Sequence, residues 1–168
     1  LLFNEARKIH LEEVIFPWLG RDRSQKTIML LDRYLDTTRV YQGMVGGVPM
    51  ERILALEKEY AHSFYPDLTF ILYFPENIFE AIFTSRKQKS AANNREHNIL
   101  DEGEINHHLE RQRNYLKLPD LSKELNEQRK YALIDASQTP EQVLEQMFDA
   151  CKPMLNEHFN CSFVSSRT

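Results

Sequence analysis

The stretch Thr27-Ile28-Met29-Leu30-Leu31-Asp32-Arg33-Tyr34 is an apolar run that ends in an acid, a base and an aromatic ring. An apolar run without polar alternation is typical of a strand that is covered on both faces. Ligands of open α/β sheets bind outside the carboxyl ends of the strands, which is where Asp32 and Arg33 are expected. An Asp there can hold Mg²⁺, and an Arg can bind a phosphate with two hydrogen bonds. The alternative is an Asp that caps a turn beside a surface Arg.

Two further apolar runs alternate with helical patterns along the chain. The runs at residues 68–74 and 131–134 predict strands, and Pro75 is well placed to open a helix. Spacing of apolar residues predicts the other helices, at residues 1–19, 50–62, 104–116 and 140–158. Strands that alternate with helices in this way predict an α/β fold with a doubly wound parallel sheet.

A polar stretch at residues 86–98 contains four cations, Arg86, Lys87, Lys89 and Arg95. Its low hydrophobicity predicts a mobile surface loop, because such a segment buries too little apolar area to pack as an element.

The composition excludes several classes of protein. The chain has 168 residues, 42% of them hydrophobic, and a net charge of −4, which fits one globular domain. A general nucleic-acid binder or anionic-membrane binder would show a basic excess. No signal peptide or membrane-spanning run is visible. Cys151 and Cys161 lack zinc-ligand spacing, which favours isolated thiols in a cytosolic protein. We therefore expect a cytoplasmic protein without nucleic-acid or membrane partners.

Two groups of residues could form a pocket for a planar base. Phe3 and Arg7 are four residues apart, hence on one helical face, so that a ring could stack on a base while the cation binds its carbonyl. Tyr41 and Gln42 follow Arg33 closely and add an aromatic ring and an amide. The alternatives are a buried Phe3 with an exposed Arg7, a packing role for Tyr41, and a surface amide for Gln42.

Five blocks of the sequence resemble the thymidylate kinases, in the same order and at matching spacing. They are residues 1–7, 32–38, 41–43, 65–70 and 134–136. The apolar run that ends at Asp32 is also the Walker B pattern of P-loop nucleotide enzymes. The resemblance implies a P-loop nucleoside-monophosphate-kinase-like fold in a single domain over residues 1–168. Three of its strands would be visible, with the first two family strands absent.

The resemblance implies a set of residues that bind the nucleotide substrate. These are Phe3, Arg7, Arg33, Thr37, Thr38, Tyr41 and Gln42. By this resemblance Phe3 stacks on thymine, Arg7 hydrogen-bonds the base, and Tyr41 disfavours a 2′-hydroxyl group. Arg33 contacts the phosphate of the monophosphate.

The resemblance also implies a catalytic group and an ATP-binding loop. Asp32 matches a residue near Mg²⁺ and the transferring phosphate, so that Asp32 and Arg33 would be catalytic. Asp135, Ala136 and Ser137 match the loop beside the adenine of ATP. Residues 86–103 occupy the place of the lid, which makes Arg86 and Arg95 candidate catalytic residues. The stretch lacks the charged blocks of the family's lids, and a solvated run of charges is the alternative.

The implied activity is phosphorylation of dTMP to dTDP, with ATP as donor and Mg²⁺ as cofactor, in dTTP synthesis by a homodimer. The 168 residues contain no GxxxxGK[ST] loop to hold the ATP phosphates. We therefore expect an N-terminal portion before Leu1, and expect these residues alone to be inactive; the alternative is that something else, such as another chain, takes the place of that portion. The alternatives are a kinase for another deoxynucleotide, or a P-loop-less, non-catalytic module for nucleotide binding or interaction.

Overall fold

A computed structural model describes residues 2–20, 26–92 and 104–160. The chain divides into two compact units, Leu1–Pro66 with Cys151–Thr168, and Asp67–Ala150. The expectation of a single domain stays a prediction.

The first unit begins with a helical run that contains a π turn. It comprises α1 (Leu2–His10), a π-helix (Leu11–Ile15) and α2 (Phe16–Gly20). Pro17 has no N–H, and in a regular α-helix its ring would clash with the carbonyl of Glu13. The wider turn before it, closed by the Phe16 N–H donating to the Leu11 carbonyl, accommodates the proline. The predicted helix at residues 1–19 is thus confirmed over its described part, with a π turn that the spacing did not predict.

The second helical part of this unit also contains a π-helix. It comprises α3 (Leu35–Thr38), the π-helix Arg39–Val45 and α4 (Met50–Ala61). Pro49 precedes α4, and His62 ends it in the left-handed conformation, with φ of 52°. The helix predicted at residues 50–62 is therefore confirmed to within one residue.

The core of the first unit lies between these helices. Leu11, Ile15, Leu35 and Ala61 form its fully buried cluster, and Met29 and Leu31 pack against it. Alternate residues of the same run point away, with Ile28 53% and Leu30 85% exposed.

The strand that we predicted at residues 27–31 is therefore not observed. Within the described ranges, residues 26–31 have no hydrogen-bonded strand neighbour, and only one side of the run is covered. An apolar pattern indicates which side chains avoid water, whereas a strand also needs a backbone partner. The described residues accordingly hold two strands instead of the three predicted.

The second unit contains a parallel pair of strands. β1 (Leu68–Tyr73) pairs with β2 (Lys130–Asp135), in a register that runs from Leu68 opposite Lys130 to Tyr73 opposite Asp135. Ile71 and Ile134 are buried. The helices that follow in the chain are α5 (Glu76–Ala92), α6 (Ile105–Leu116), α7 (Leu118–Glu124) and α8 (Pro140–Phe159). Two predicted strands and the helices after Pro75, at 104–116 and at 140–158 are thus confirmed.

Two glutamine side chains take the place of strand partners where β1 and β2 end. Gln112 accepts from the Phe74 N–H at 2.8 Å and donates to the Phe74 carbonyl at 2.8 Å. Gln146 accepts from the Asp135 N–H at 3.0 Å and donates to the Asp135 carbonyl at 3.3 Å. Side chains of α6 and α8 thereby satisfy backbone groups at the carboxyl end of the sheet.

Helix α5 continues further than the polarity of its sequence indicates. The loop predicted at residues 86–98 is wrong for residues 86–92, which belong to α5. Arg, Lys, Gln and Ala are strong helix formers, so the helix continues through the polar residues that follow its apolar ones. Residues 93–103 lie outside the described part of the chain, and the lid role of residues 86–103 stays a prediction. None of the described helices combines the length and apolarity needed to cross a bilayer.

Candidate functional site

Arg7 on α1 is a half-buried cation held by neutral acceptors. Its Nη1 atom donates to Asn4 Oδ1 at 2.8 Å, and its Nη2 atom donates to Thr38 Oγ1 at 2.9 Å. The guanidinium carbon lies 5.6 Å from the centre of the Tyr34 ring. Burial lowers the pKa of Arg7, while the nearby Tyr34 and Glu57 act in the opposite direction.

Phe3 lies on the same helix with its ring in solvent. The side chain of Phe3 is 75% exposed, whereas Arg7 is half-buried. The alternative of a buried Phe3 with an exposed Arg7 is therefore wrong, because Phe3 is the exposed residue of the two and Arg7 is half-buried. An exposed aromatic ring four residues from a half-buried cation on one helix provides the two side-chain types that stack on a flat ligand and donate hydrogen bonds to it.

Arg33 adopts a strained backbone conformation next to Tyr41. Its φ angle of 65° is in the left-handed region, which residues with a Cβ atom rarely adopt. The Arg33 Nη1 atom donates to the Tyr41 hydroxyl at 3.4 Å, and the guanidinium carbon lies 6.0 Å from the ring centre. Strain of this kind is often found at binding sites, where the surrounding structure enforces it.

Asp32 precedes this residue and is exposed. The described residues contain no group of three or more His, Cys, Asp or Glu side chains that could hold a metal ion. A single exposed carboxylate fits Mg²⁺ nonetheless, because this ion keeps several waters and is usually held by one or two carboxylates and substrate phosphates.

The π-helix Arg39–Val45 carries Tyr41 and Gln42, both half-buried. A Cβ atom at Gly46 would lie 2.8 Å from the Gln42 carbonyl oxygen and 2.9 Å from that of Tyr41. Only glycine therefore fits at the end of this π turn. Single π turns are frequent at functional sites, where they change the direction of side chains.

The other predicted base-pocket residues lie at the start of this helical part. The Thr37 N–H donates to the Tyr34 carbonyl at 3.2 Å, which closes the first turn of α3. Thr38 is buried and faces Arg7 through its hydroxyl group. The structure thus joins Arg7 to Thr38 and Arg33 to Tyr41, in two pairs of predicted site residues.

Three residues near these side chains had no role predicted from the sequence. Asn4 accepts a hydrogen bond from Arg7. It lies three residues before Arg7 on the same helix, so helical spacing could have predicted this contact. Arg39 and Glu57 form a fully buried ion pair. They are 18 residues apart, and no spacing rule connects them.

In the second unit, Asp135, Ala136 and Ser137 form a turn at the end of β2. The Ala136 N–H donates to the Tyr73 carbonyl at 2.8 Å, and the Ser137 N–H donates to Asp135 Oδ1 at 2.9 Å. Hydrogen bonds from Ser137 lower the pKa of the Asp135 carboxyl group.

An open pocket of about 370 Å³ adjoins this turn. It is lined by Asp135, Gln138, Gln142, Glu145, Gln146 and Asp149. Three carboxylates repel a polyphosphate, whereas carboxylates and amides can bind the edge of a purine. A second open pocket, of about 450 Å³, is lined by residues of α5 and α6 and by Glu104, and contains no predicted site residue.

The two predicted lid arginines cannot be placed in the site. Arg86 lies in α5, and its side chain is outside the described part of the structure. Arg95 lies wholly outside the described residues.

Comparison with known proteins gives one family. The model of the family Thymidylate kinase matches residues 1–147. The thymidylate kinase of Mesoplasma florum is 35% identical over 146 residues, which cover 87% of this chain and 62% of that protein. The thymidylate kinase of Bartonella henselae is 27% identical over 92% of this chain and 66% of its own length. That of Shouchella clausii is 35% identical over 79% of this chain and 59% of its own length.

The chain thus spans about three fifths of the length of these curated relatives. The matched residues include α1, the segment at Asp32 and the turn at Asp135. The family has a P-loop nucleoside-monophosphate-kinase fold, and the described residues contribute helices and a parallel pair of strands to it. On the extent of this match, the chain belongs to the thymidylate kinase family.

Proposed function

We propose that the protein containing this chain phosphorylates dTMP to dTDP with ATP and Mg²⁺, and that the first unit binds dTMP. The observation that carries this proposal is the setting of Arg7. Two of its five N–H groups are donated to Asn4 and Thr38, and among the described residues no further acceptor is bonded to it. A half-buried cation with remaining donors beside an exposed Phe3 ring suits a flat base with a carbonyl group.

Phosphoryl transfer is catalysed mainly by positioning and charge neutralisation, which defines the roles proposed for this chain's residues. Arg7 donates to the thymine carbonyl while the Phe3 ring covers the face of the base. Arg33 binds the monophosphate, and its contact with Tyr41 fixes the ring against the sugar. Asp32 would hold Mg²⁺, which neutralises phosphate charge when it is bound.

The same proposal assigns the second unit to the donor nucleotide. Asp135, Ala136 and Ser137 lie beside adenine, and the amides of the adjoining pocket supply polar contacts to its edge. The lid arginines Arg86 and Arg95 complete the charge neutralisation. Support for the adenine assignment is the turn at Asp135, where one backbone hydrogen bond and one hydrogen bond from the Ser137 N–H to the Asp135 carboxylate hold the loop.

We also propose a homodimer in the cytoplasm. The helical run at residues 2–20 exposes Ile9, Val14, Trp18 and Leu19, which supports a protein contact on this run. Sedimentation velocity tests the dimer, since a purely monomeric species at micromolar concentration contradicts it.

Calorimetric titration of dTMP and dCMP tests the substrate assignment. The two nucleotides differ at position 4, where a carbonyl that accepts from Arg7 is replaced by an amino group that cannot, and dCMP also lacks the N3 proton and the 5-methyl group of thymine. We expect dTMP to bind roughly tenfold or more tightly, because hydrogen bonds to charged groups contribute about 1.5–3 kcal/mol. Arg7→Met removes the part of this preference that comes from the position-4 carbonyl, and Arg52→Met, a change of an exposed arginine on α4, leaves the preference intact.

The possible results separate the candidate functions. Equal affinity for dTMP and dCMP contradicts thymine recognition and favours a kinase for another deoxynucleotide. Absence of binding by any nucleotide contradicts the proposal and favours an interaction module.

A further inference from the structure

The side chains of Arg39 and Glu57 form an ion pair inside the first unit. Arg39 Nε donates to Glu57 Oε1 at 2.9 Å, and Arg39 Nη2 donates to Oε2 at 2.6 Å. Their side chains are 0% and 2% exposed. The Arg39 guanidinium carbon also lies 5.7 Å from the centre of the Tyr65 ring. Both charges are thus removed from water, and two hydrogen bonds join them in a bidentate ion pair.

Such a pair is a poor source of net stability. Removing two charges from water costs free energy that their attraction only offsets, and apolar replacements of similar volume often stabilise a protein at least as well. A buried pair between two helical segments therefore suggests that it fixes a geometry.

The geometry that this pair fixes belongs to the base pocket. Arg39 follows Thr38 in the chain, and the Thr38 hydroxyl group accepts from Arg7. Arg39 also begins the π-helix that carries Tyr41 and Gln42. Glu57 lies on α4, which packs against α1, the helix of Arg7. The Glu57 carboxylate acts to raise the pKa of Arg7, against the effect of burial.

We propose that Glu57 is the positioning residue of the Arg7–Thr38 pair: by binding Arg39 it holds Thr38 and the π-helix against α4, so that Arg7 faces the base. This inference rests on the proposed function for its ligand, dTMP. Glu57 does not touch the nucleotide and acts through Arg39 and Thr38.

The test compares single and double variants of the intact protein. Glu57→Gln keeps the shape and one acceptor oxygen but removes the charge. The double variant Arg39→Met/Glu57→Met replaces the pair by apolar side chains and stays folded even where the single variant does not. Urea denaturation measures stability, and calorimetry with dTMP and dCMP measures affinity and base preference.

We expect the double variant to unfold at a urea concentration near that of the wild type while its affinity for dTMP falls about tenfold or more. We also expect its preference for dTMP over dCMP to shrink, because Arg7 is no longer held toward the base. Wild-type affinity and preference in a folded double variant would overturn the inference while leaving the proposed function intact.

A ligand-free measurement separates the two proposals. Nitrogen-15 NMR of the arginine side chains gives the exchange rate of the Arg7 guanidinium protons with water. We expect this rate to rise several-fold in the double variant, since the Thr38 acceptor is released. An unchanged rate overturns the positioning role, whether or not dTMP binds. Failure of the wild type to bind dTMP, with a raised rate in the variant, defeats the proposed function but supports the positioning of Arg7 by Glu57.

Discussion

Arg7 and Thr38 are 31 residues apart in the chain, and a 2.9 Å hydrogen bond joins the Nη2 atom of the first to the Oγ1 atom of the second. The bond connects α1 to α3, and so joins two segments that the sequence analysis assigned to the same pocket. Thr38 carries no charge, so this contact does not neutralise the positive charge of Arg7. The cation of Arg7 therefore remains available to a ligand.

Removal of the acceptor at Thr38 should weaken both the fold and the site. Thr38→Val leaves one N–H of a half-buried cation unsatisfied, so we expect a loss of about 1–3 kcal/mol in the free energy of unfolding. Affinity for dTMP should fall with it. Thr69→Val is the matched control, because the buried Thr69 hydroxyl group has no hydrogen-bond partner in the described residues. Urea denaturation of both variants checks the prediction, and an equal loss in the control would contradict it.

Substitutions of Arg33 should separate backbone strain from charge. A residue with a Cβ in the left-handed region costs about 1–2 kcal/mol, and glycine avoids this cost. We expect Arg33→Gly to be more stable than Arg33→Ala by up to about 1 kcal/mol, after the larger entropy of an unfolded glycine is counted. Both variants should lose dTMP affinity equally, since both lack the guanidinium. A lower stability of the glycine variant would show that the conformation of Arg33 carries no strain.

Gly46→Ala should disrupt the π-helix that carries Tyr41 and Gln42. The new methyl group would meet two backbone carbonyl oxygens at under 3.0 Å, and overpacking of this kind costs about 1–3 kcal/mol. Thermal unfolding measures the loss. Gly20→Ala serves as the control, because a Cβ at Gly20 meets no atom of the described residues within 4 Å. Comparable melting temperatures of the two variants would count against the close approach at Gly46.

The acid sensitivity of the second unit should depend on Asp135. Hydrogen bonds from Ser137 lower the pKa of this carboxyl group from its ordinary value of 3.8 in the folded protein. Its carboxylate therefore stabilises the fold above the unfolded pKa, and this contribution is lost as the pH falls through the folded pKa, below about 4. We expect Asp135→Asn to flatten the fall of unfolding free energy over this range, and Ser137→Ala to flatten it in part. Curves parallel to the wild type would refute the assignment.

Much of the fold was predictable because its signals are local. The helices at residues 50–61 and 140–159 and the strands at 68–73 and 130–135 follow from apolar spacing and from flanking prolines. The segment at residues 27–31 has the same apolar character but no strand partner in the described residues. Strand formation depends on a second segment of backbone, which an apolar run does not contain.

The site was predictable only where its residues share a helix or a short segment. The spacing of Phe3 and Arg7 indicated a common face, and the burial of the two residues now supports a binding role. The pair of Arg39 and Glu57 depends on the packing of two separate helical segments. The left-handed conformation of Arg33 likewise has no sequence signal, since a charged residue does not ordinarily favour it.

The glutamine contacts at the ends of β1 and β2 give the second unit two internal reporters of helix attachment. The peptide protons of Phe74 and Asp135 are donated to side chains of α6 and α8. Their exchange with deuterium therefore measures how often each helix lifts from the sheet, while protons within the β1–β2 ladder measure separation of the strands. Exchange at Phe74 and Asp135 therefore distinguishes detachment of either helix from separation of β1 and β2.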